Sequence, residues 1–235
     1  MTILAFDTAT RATAVALRDD HGLELEARDD PAPGERPRHN TRLMALVLEL
    51  LARAGLGWEA IDRIGVGVGP GTFTGLRIGI ATARALAAAR GIPLVAVSTL
   101  KSLALGAFSA ESHHEDVIAA LDARRHEVFA AGWHEDASAE PFLAPVAIAP
   151  ERLGELIVGR GSRPLVIGEG AVEFKAVLER ANAVIPEQAS VLHRVSAVNH
   201  CRLAAGLRPE APDHIHPEYL RLPDAEILRR SSGNR

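Results

Sequence analysis

Cysteine is nearly missing from this chain, and so are lysine and any long apolar run. A single cysteine, Cys201, excludes an internal disulfide and fits a reducing compartment. Among the 26 basic residues only Lys101 and Lys175 are lysines, and no function follows from that. The formal charge of −4 argues against a general nucleic-acid coat, which needs a basic face. No apolar stretch approaches the ~20 residues that a membrane helix requires. The first residues, Met1-Thr2-Ile3-Leu4-Ala5-Phe6-Asp7, lack a basic segment and meet an acid at once, unlike a secretory signal. A cytoplasmic location is expected. At 235 residues, with 47% hydrophobic and 24% charged residues, the chain suits one or two globular domains.

What is abundant is glycine, gathered in Gly65-Val66-Gly67-Val68-Gly69-Pro70-Gly71-Thr72-Phe73-Thr74-Gly75-Leu76-Arg77-Ile78-Gly79. An apolar strand leads into this loop and an alanine-rich helix leaves it, an arrangement that often binds anions at the helix N-terminus. It is not a nucleotide fingerprint. A P-loop ends in Gly-Lys-Ser/Thr, whereas Leu76 and Arg77 follow Gly75; GxGxxG fails at Pro70 or at Thr72. Two readings stay open: a tight turn that packs a helix onto a sheet, or a ligand or partner site.

The rest of the chain alternates strand and helix signals. Strands are expected at Thr2–Phe6, Ala12–Leu17 and Leu23–Ala27, then a charged, proline-bearing loop from Arg28 to Arg38 that folding should not need. Asn40 is expected to cap a helix to about Ala54, closed by Gly55 and Gly57. Ile61–Val68, a helix over Gly75–Ala89, Leu94–Val97 and a helix over Thr99–Phe108 complete the first half. The second half repeats the order: strands Val117–Leu121, Glu127–Trp133 and Phe142–Ile148, helix Pro150–Val158, strand Leu165–Gly168, helix Ala171–Arg180 and a final helix Ser196–Leu207. Asp122 ends its first strand as Asp7 ends that of the first half. The pattern predicts a duplicated α/β architecture with a cleft between lobes, divided near Ala110–Glu115.

Four stretches carry a resemblance. Leu4-Ala5-Phe6-Asp7-Thr8-Ala9-Thr10, the Gly65–Gly79 loop, Leu121-Asp122-Ala123-Arg124-Arg125-His126-Glu127-Val128-Phe129 and Pro217-Glu218-Tyr219-Leu220-Arg221 resemble TsaB (YeaZ-type) proteins, in order and at familiar spacing over almost the whole chain. The resemblance implies the actin/sugar-kinase/heat-shock ATPase superfamily, with two ribonuclease-H-like lobes: 1–110, carrying the partner-binding helices, and 111–235, smaller or degenerate, with a C-terminal tail. It implies a non-catalytic partner of TsaD, the transferase that makes N6-threonylcarbamoyladenosine in tRNAs reading codons beginning with A. TsaE, an ATPase, joins that complex, and tRNA is reached indirectly. No cofactor is expected in the isolated chain, with ATP or ADP and Mg²⁺ reserved for a composite site in the complex.

The residues bear on catalysis directly. TsaD-type relatives carry HxxxH on the helix after the strand that follows the glycine-loop helix, and two histidines four apart can share a metal. The corresponding positions here are Thr99 and Leu103, with Lys101 between them. No metal site and no catalytic residue are expected, which tells against a metallopeptidase. The pair His113-His114 and the run His214-Ile215-His216 read as polar turns, His39 as a helix cap or surface residue, and Cys201 as a core residue. Ser98, Ser102 and Ser109 lack the context of a nucleophile elbow. Asp7, Thr8 and Thr10 are candidate phosphate or Mg²⁺ ligands by the superfamily resemblance; alternatively, Asp7 caps a turn and accepts backbone N–H bonds. An independent ATP-dependent phosphotransferase is the other function to weigh.

The first helix is broadly apolar. Leu43, Val47, Leu50 and Ala54 form a stripe that Met44, Leu48, Leu51 and Leu46 widen beyond the ~100° arc a surface helix needs. With the helix over Leu76–Ala89, it is expected to leave an apolar face for a partner, unless both are buried within the lobe. The resemblance implies a bundle with the same helices of TsaD, or of a second copy when alone. The expected interface is Leu43, Met44, Leu46, Val47, Leu50 and Leu51, with Thr72, Phe73, Thr74 and Arg77.

Overall fold

The alternation along the strands decides how the chain layers. A computed structural model describes residues 1–32, 34–110 and 114–221. In β1 (Ile3–Asp7) every residue is buried, because helices cover both faces of its sheet. Leu4 and Phe6 face outward, toward α1 (His39–Ala54) and α2 (Phe73–Arg90); Ile3 and Ala5 face the other way. β2 (Thr13–Arg18) pairs antiparallel with β1 and with β3 (Glu24–Asp29), while β4 (Arg63–Gly69) and β5 (Leu94–Ser98) add in parallel. The sheet order is β3-β2-β1-β4-β5.

The second sheet repeats this order in four strands. β6 (Asp116–Arg124), β7 (Glu127–His134), β8 (Leu143–Ile148) and β9 (Leu165–Ile167) run β8-β7-β6-β9, with β7 antiparallel to its neighbours and β9 parallel to β6. Its outer face packs on α4 (Pro150–Arg160) and α6 (Lys175–Arg180) through Leu153, Ile157 and Leu178.

The inner faces are covered out of chain order. Helix α3 (Thr99–Ser109) follows the first sheet, yet Leu100, Leu103, Ala104 and Ala107 pack beneath the second sheet. Helix α7 (Ala197–Gly206) follows the second sheet, and its Ala197, Val198, Cys201 and Ala204 pack beneath the first. Alanines at 5, 14 and 16 let α7 approach closely. The packing therefore does not divide at Ala110, although the strands do.

Three local expectations are corrected. Helix α1 starts at His39, so Asn40 lies within it, and Arg38 at the N-cap makes no side-chain cap bond. The helix expected over Ala171–Arg180 is two, α5 (Glu169–Glu173) and α6, broken at Phe174. The loop after β3 is tied down by charge: Asp29, 7% exposed, pairs with Arg38 at 2.6 Å and Arg42 at 3.3 Å, and Arg11 bonds the Ala32 and Glu35 carbonyls. Among the described residues no helix is long and apolar enough to cross a membrane.

Candidate functional site: a sealed polar network and an exposed surface

Asp7 ends β1 where the two inner helices cross, and it is 1% exposed. Its Oδ1 accepts the Ala9 N–H at 2.7 Å, the turn-capping bond, and its Oδ2 accepts the Thr99 hydroxyl at 2.7 Å. His200 Nε2 lies 3.0 Å from Oδ2, a close electrostatic contact whose N–H is not aligned for an ordinary hydrogen bond. Burial pushes the Asp7 carboxyl up, but His200, Thr99 and the Ala9 amide outweigh it and hold the group below the usual carboxylate range.

This geometry favours the turn-capping reading of Asp7 over the phosphate or Mg²⁺ reading of Asp7, Thr8 and Thr10. Both Asp7 oxygens are engaged, Thr8 donates its hydroxyl to the Gly75 carbonyl at 2.7 Å, and Thr10 Oγ1 accepts the Ala12 N–H at 3.3 Å. All three residues are buried. The glycine loop resolves as a tight turn against its own chain. A Cβ at Gly67 would sit 2.6 Å from Asp7 Cγ, and one at Gly71 would sit 2.6 Å from Ala9 Cβ. Cβ atoms at Gly75 and Gly79 would strike Thr8 itself. Glycine is needed there for close approach of the β1–β2 turn.

The two metal-motif positions lie inside this arrangement. Thr99 spends its hydroxyl on Asp7, and Leu103 is core beneath the second sheet. Among the described residues no three His, Cys, Asp or Glu side chains are grouped to hold a metal. Ser102 Oγ lies 2.8 Å from His200 Nδ1, so Ser102, His200 and Asp7 follow the order of a hydrolytic triad. None of the three is more than 1% exposed, and a sealed serine cannot meet a substrate. Sequence reasoning missed this pairing because its members lie far apart along the chain.

Other histidines and the cysteine also resolve. His39 is buried rather than a cap or surface residue: its Nδ1 lies 2.8 Å from Thr13 Oγ1, and burial lowers its pKa. His216 sits beside Arg84, and His113 lies outside the described residues. Cys201 is fully buried, which pushes its thiol far above the ordinary range and makes it inert. The Leu121–Phe129 segment is the β6–β7 hairpin, whose turn residues Arg124, Arg125 and His126 all have positive φ. Asp122 holds that turn through the Arg124 N–H at 2.7 Å, and Glu151 holds His126 at 2.9 Å.

The expected partner face on α1 is corrected. Leu43, Leu46, Val47, Leu50 and Leu51 are each at most 5% exposed and belong to the core against the first sheet. A helix laid on a sheet with α2 beside it buries a wide arc. Met44 is half-buried, and the exposed leucine is Leu48, at 53%. The residues opening α2 differ. Phe73, Thr74 and Arg77 are exposed and Thr72 is half-buried. The Arg77 guanidinium lies 3.7 Å over the Phe73 ring, and its Nε donates to the Tyr219 hydroxyl at 3.2 Å. The Phe73 and Tyr219 rings stack at 5.4 Å. Tyr219, the only tyrosine, lies in the Pro217–Arg221 stretch and is not among the residues expected at this surface.

A cleft of about 230 Å³ separates the sheets, lined by Thr10, Arg11 and Arg28 on one side and Leu121 and Glu169 on the other. Burial first, and Asp122 second, push the Glu169 carboxyl up to about 6. Arg28 is committed to Asp30 and the Val195 carbonyl.

Comparison with known proteins fits this geometry. A family model described as "TsaD: tRNA N6-adenosine threonylcarbamoyltransferase" matches residues 35–156. The Escherichia coli tRNA threonylcarbamoyladenosine biosynthesis protein TsaB is 32% identical over 94% of this chain and 95% of its own length. This chain belongs to the TsaB family. A crystal structure of a Pseudomonas aeruginosa protein described as similar to peptidase YeaZ shares 33% identity and a TM-score of 0.76, covering 94% of this chain and 99% of that one. By contrast, a Novosphingobium aromaticivorans tRNA N6-adenosine threonylcarbamoyltransferase is 34% identical across 46% of this chain and 36% of its own length. TsaB-family likeness thus runs end to end. A Thermus thermophilus ROK hexokinase, 12% identical with a TM-score of 0.51, shares the α/β fold.

Proposed function

We propose that this chain is the non-catalytic scaffold of the complex that forms N6-threonylcarbamoyladenosine in tRNAs reading codons beginning with A. The carrying observation is the fate of the metal-motif positions: Thr99 is bonded to a buried Asp7 and Leu103 is core. A chain built this way supports a transferase rather than acting as one. In this reading it binds TsaD directly, with Thr72, Phe73, Thr74, Arg77 and the exposed edge of α1 at Met44 and Leu48 in the interface. TsaE joins the assembly, tRNA is reached through TsaD, and the same surface pairs two copies when the chain is alone. Any ATP or ADP with Mg²⁺ sits at a composite site formed with TsaD, in the cytoplasm. The strand orders support two ribonuclease-H-like lobes, 1–110 and 111–235, that exchange α3 and α7. An independent phosphotransferase would need Asp7 to release the contacts that now hold it.

The test is reconstitution. Threonylcarbamoylation of tRNA by TsaD and TsaE is assayed with and without this chain. Modification should require the chain, and the chain alone should turn over no ATP. Full activity without it would end the proposal.

A further inference from the structure

The surface at the start of α2 is completed by a residue 142 positions away in the chain. The segment Pro217–Arg221 straps one lobe to the other. The Glu218 N–H donates to the Val68 carbonyl at 2.7 Å, and the Glu218 carbonyl oxygen would be 3.2 Å from a Cβ at Gly69. Two residues on, Leu220 packs into the core beneath the second sheet, and Arg221 pairs with Glu127 of β7 at 2.9 Å. Tyr219 is therefore held from both sides, with its ring on Phe73 and its hydroxyl on Arg77. Arg77 is fixed in turn by that bond and by the Phe73 face. Its Nη atoms make no hydrogen bond or ion pair among the described residues.

We infer that Phe73, Arg77 and Tyr219 form one preordered anchor for a protein partner that brings a carboxylate to the Arg77 fork beside an apolar side chain on the aromatic pair. The occupant is TsaD, so the inference rests on the proposed function and names the chemistry of its contact. Charge complementarity selects an acidic group: a stacked guanidinium with open Nη donors matches a carboxylate in two-bond geometry. Aromatic and arginine side chains dominate binding where they are held rigid, because little rotamer freedom remains to be lost. The strap makes Tyr219 part of the interface rather than a bystander.

The experiment uses the full chain and TsaD from the same organism, with Kd measured by titration calorimetry at low and high salt. Arg77→Glu and Tyr219→Ala should each raise Kd by at least about thirty-fold, and Tyr219→Phe, which keeps the stack but loses the hydroxyl, by less. Arg77→Ala should also flatten the salt dependence of wild-type binding. Melting temperatures should stay within a few degrees, since the side chains are exposed; if Tyr219→Ala unfolds, Tyr219→Phe and Arg77→Glu carry the measurement. A Kd for Arg77→Glu within three-fold of wild type would overturn the inference while leaving the scaffold function intact. Failure of the wild type to bind TsaD, with self-association that Arg77→Glu abolishes, would replace TsaD by a second copy and overturn the assignment. Failure of both would remove the anchor and the scaffold together.

Discussion

Gly67→Ala would add one methyl group in the middle of β4, and the structure says where it goes. Its Cβ would lie 2.6 Å from Asp7 Cγ and closer still to the carboxylate oxygen, where carbon pairs normally rest at about 3.5–4.0 Å. A flexible side chain would move aside. Asp7 cannot, because the Ala9 amide and Thr99 hydroxyl hold its two oxygens and His200 sits against one. Overpacking costs about 1–3 kcal/mol, and a lost hydrogen bond to a buried charge about 1.5–3 more. We expect Gly67→Ala to lose about 3–5 kcal/mol in urea unfolding, lowering Tm by roughly 6–20 °C at this chain length. The control is Gly159→Ala near the end of α4, where nothing lies within 4 Å; it should gain up to about 1 kcal/mol. In an Asp7→Ala background the cost of Gly67→Ala should shrink by at least about 1 kcal/mol, a coupling that a double-mutant cycle reads. A Gly67→Ala protein within 1 kcal/mol of wild type would refute the reasoning.

Glu169 carries a raised carboxyl pKa, so the fold binds its proton more tightly than the unfolded chain does. Stability from this group falls as pH rises from about 4.5 through about 6, and Glu169→Gln should be about 1–2 kcal/mol more stable than wild type at pH 7, with no difference at pH 4, by thermal melts. Asp116 runs the opposite way: Arg160 at 2.7 Å, with His134 on the other oxygen, holds it far below the usual range. Its contribution is complete above the unfolded aspartate value of about 3.9 and fades below it, so Asp116→Asn should cost about 2–3 kcal/mol at pH 7 and flatten the acid limb of the stability profile. Shortening the segment between Asp30 and Arg38 to a turn removes the carbonyls that hold Arg11 and draws Arg38 off Asp29. Calorimetry should show a loss of roughly 1–3 kcal/mol, and an unchanged Tm would show that those contacts are idle.

The strands were legible as alternating or apolar runs, but Asp122 does not end its strand as Asp7 ends β1: β6 runs on to Arg124, which pairs with Glu127. The end of α1 followed from the glycine stop at Gly55, which is left-handed in the structure. Periodicity marks the apolar arc of α1 but carries no information about its cover, so Leu43, Leu46, Val47, Leu50 and Leu51 read as a partner face when they are core. The charged loop after β3 read as free because pairing partners such as Arg38 and Asp29 are visible only in space. The exchange of α3 and α7 leaves no local trace. Nor does the meeting of His200 with Asp7, 193 positions apart. Of the anchor, Phe73 and Arg77 were expected, while Tyr219 offered one signal, a lone tyrosine inside a segment already singled out.

The exchange of inner helices has a consequence for synthesis. Ile3, Ala5, Ala14, Ala16, Val95 and Val97 are all made before residue 100, but their cover, Ala197 to Ala204, is translated about a hundred residues later. At about 5–20 residues per second, an emerging first sheet waits roughly 5–20 seconds with one apolar face bare. α3 meets the reverse situation, completed before the strands it lies beneath exist. Neither half of the chain can finish folding on the ribosome by itself, so the two sheets close late and together, and the sealed Asp7 pocket closes with them.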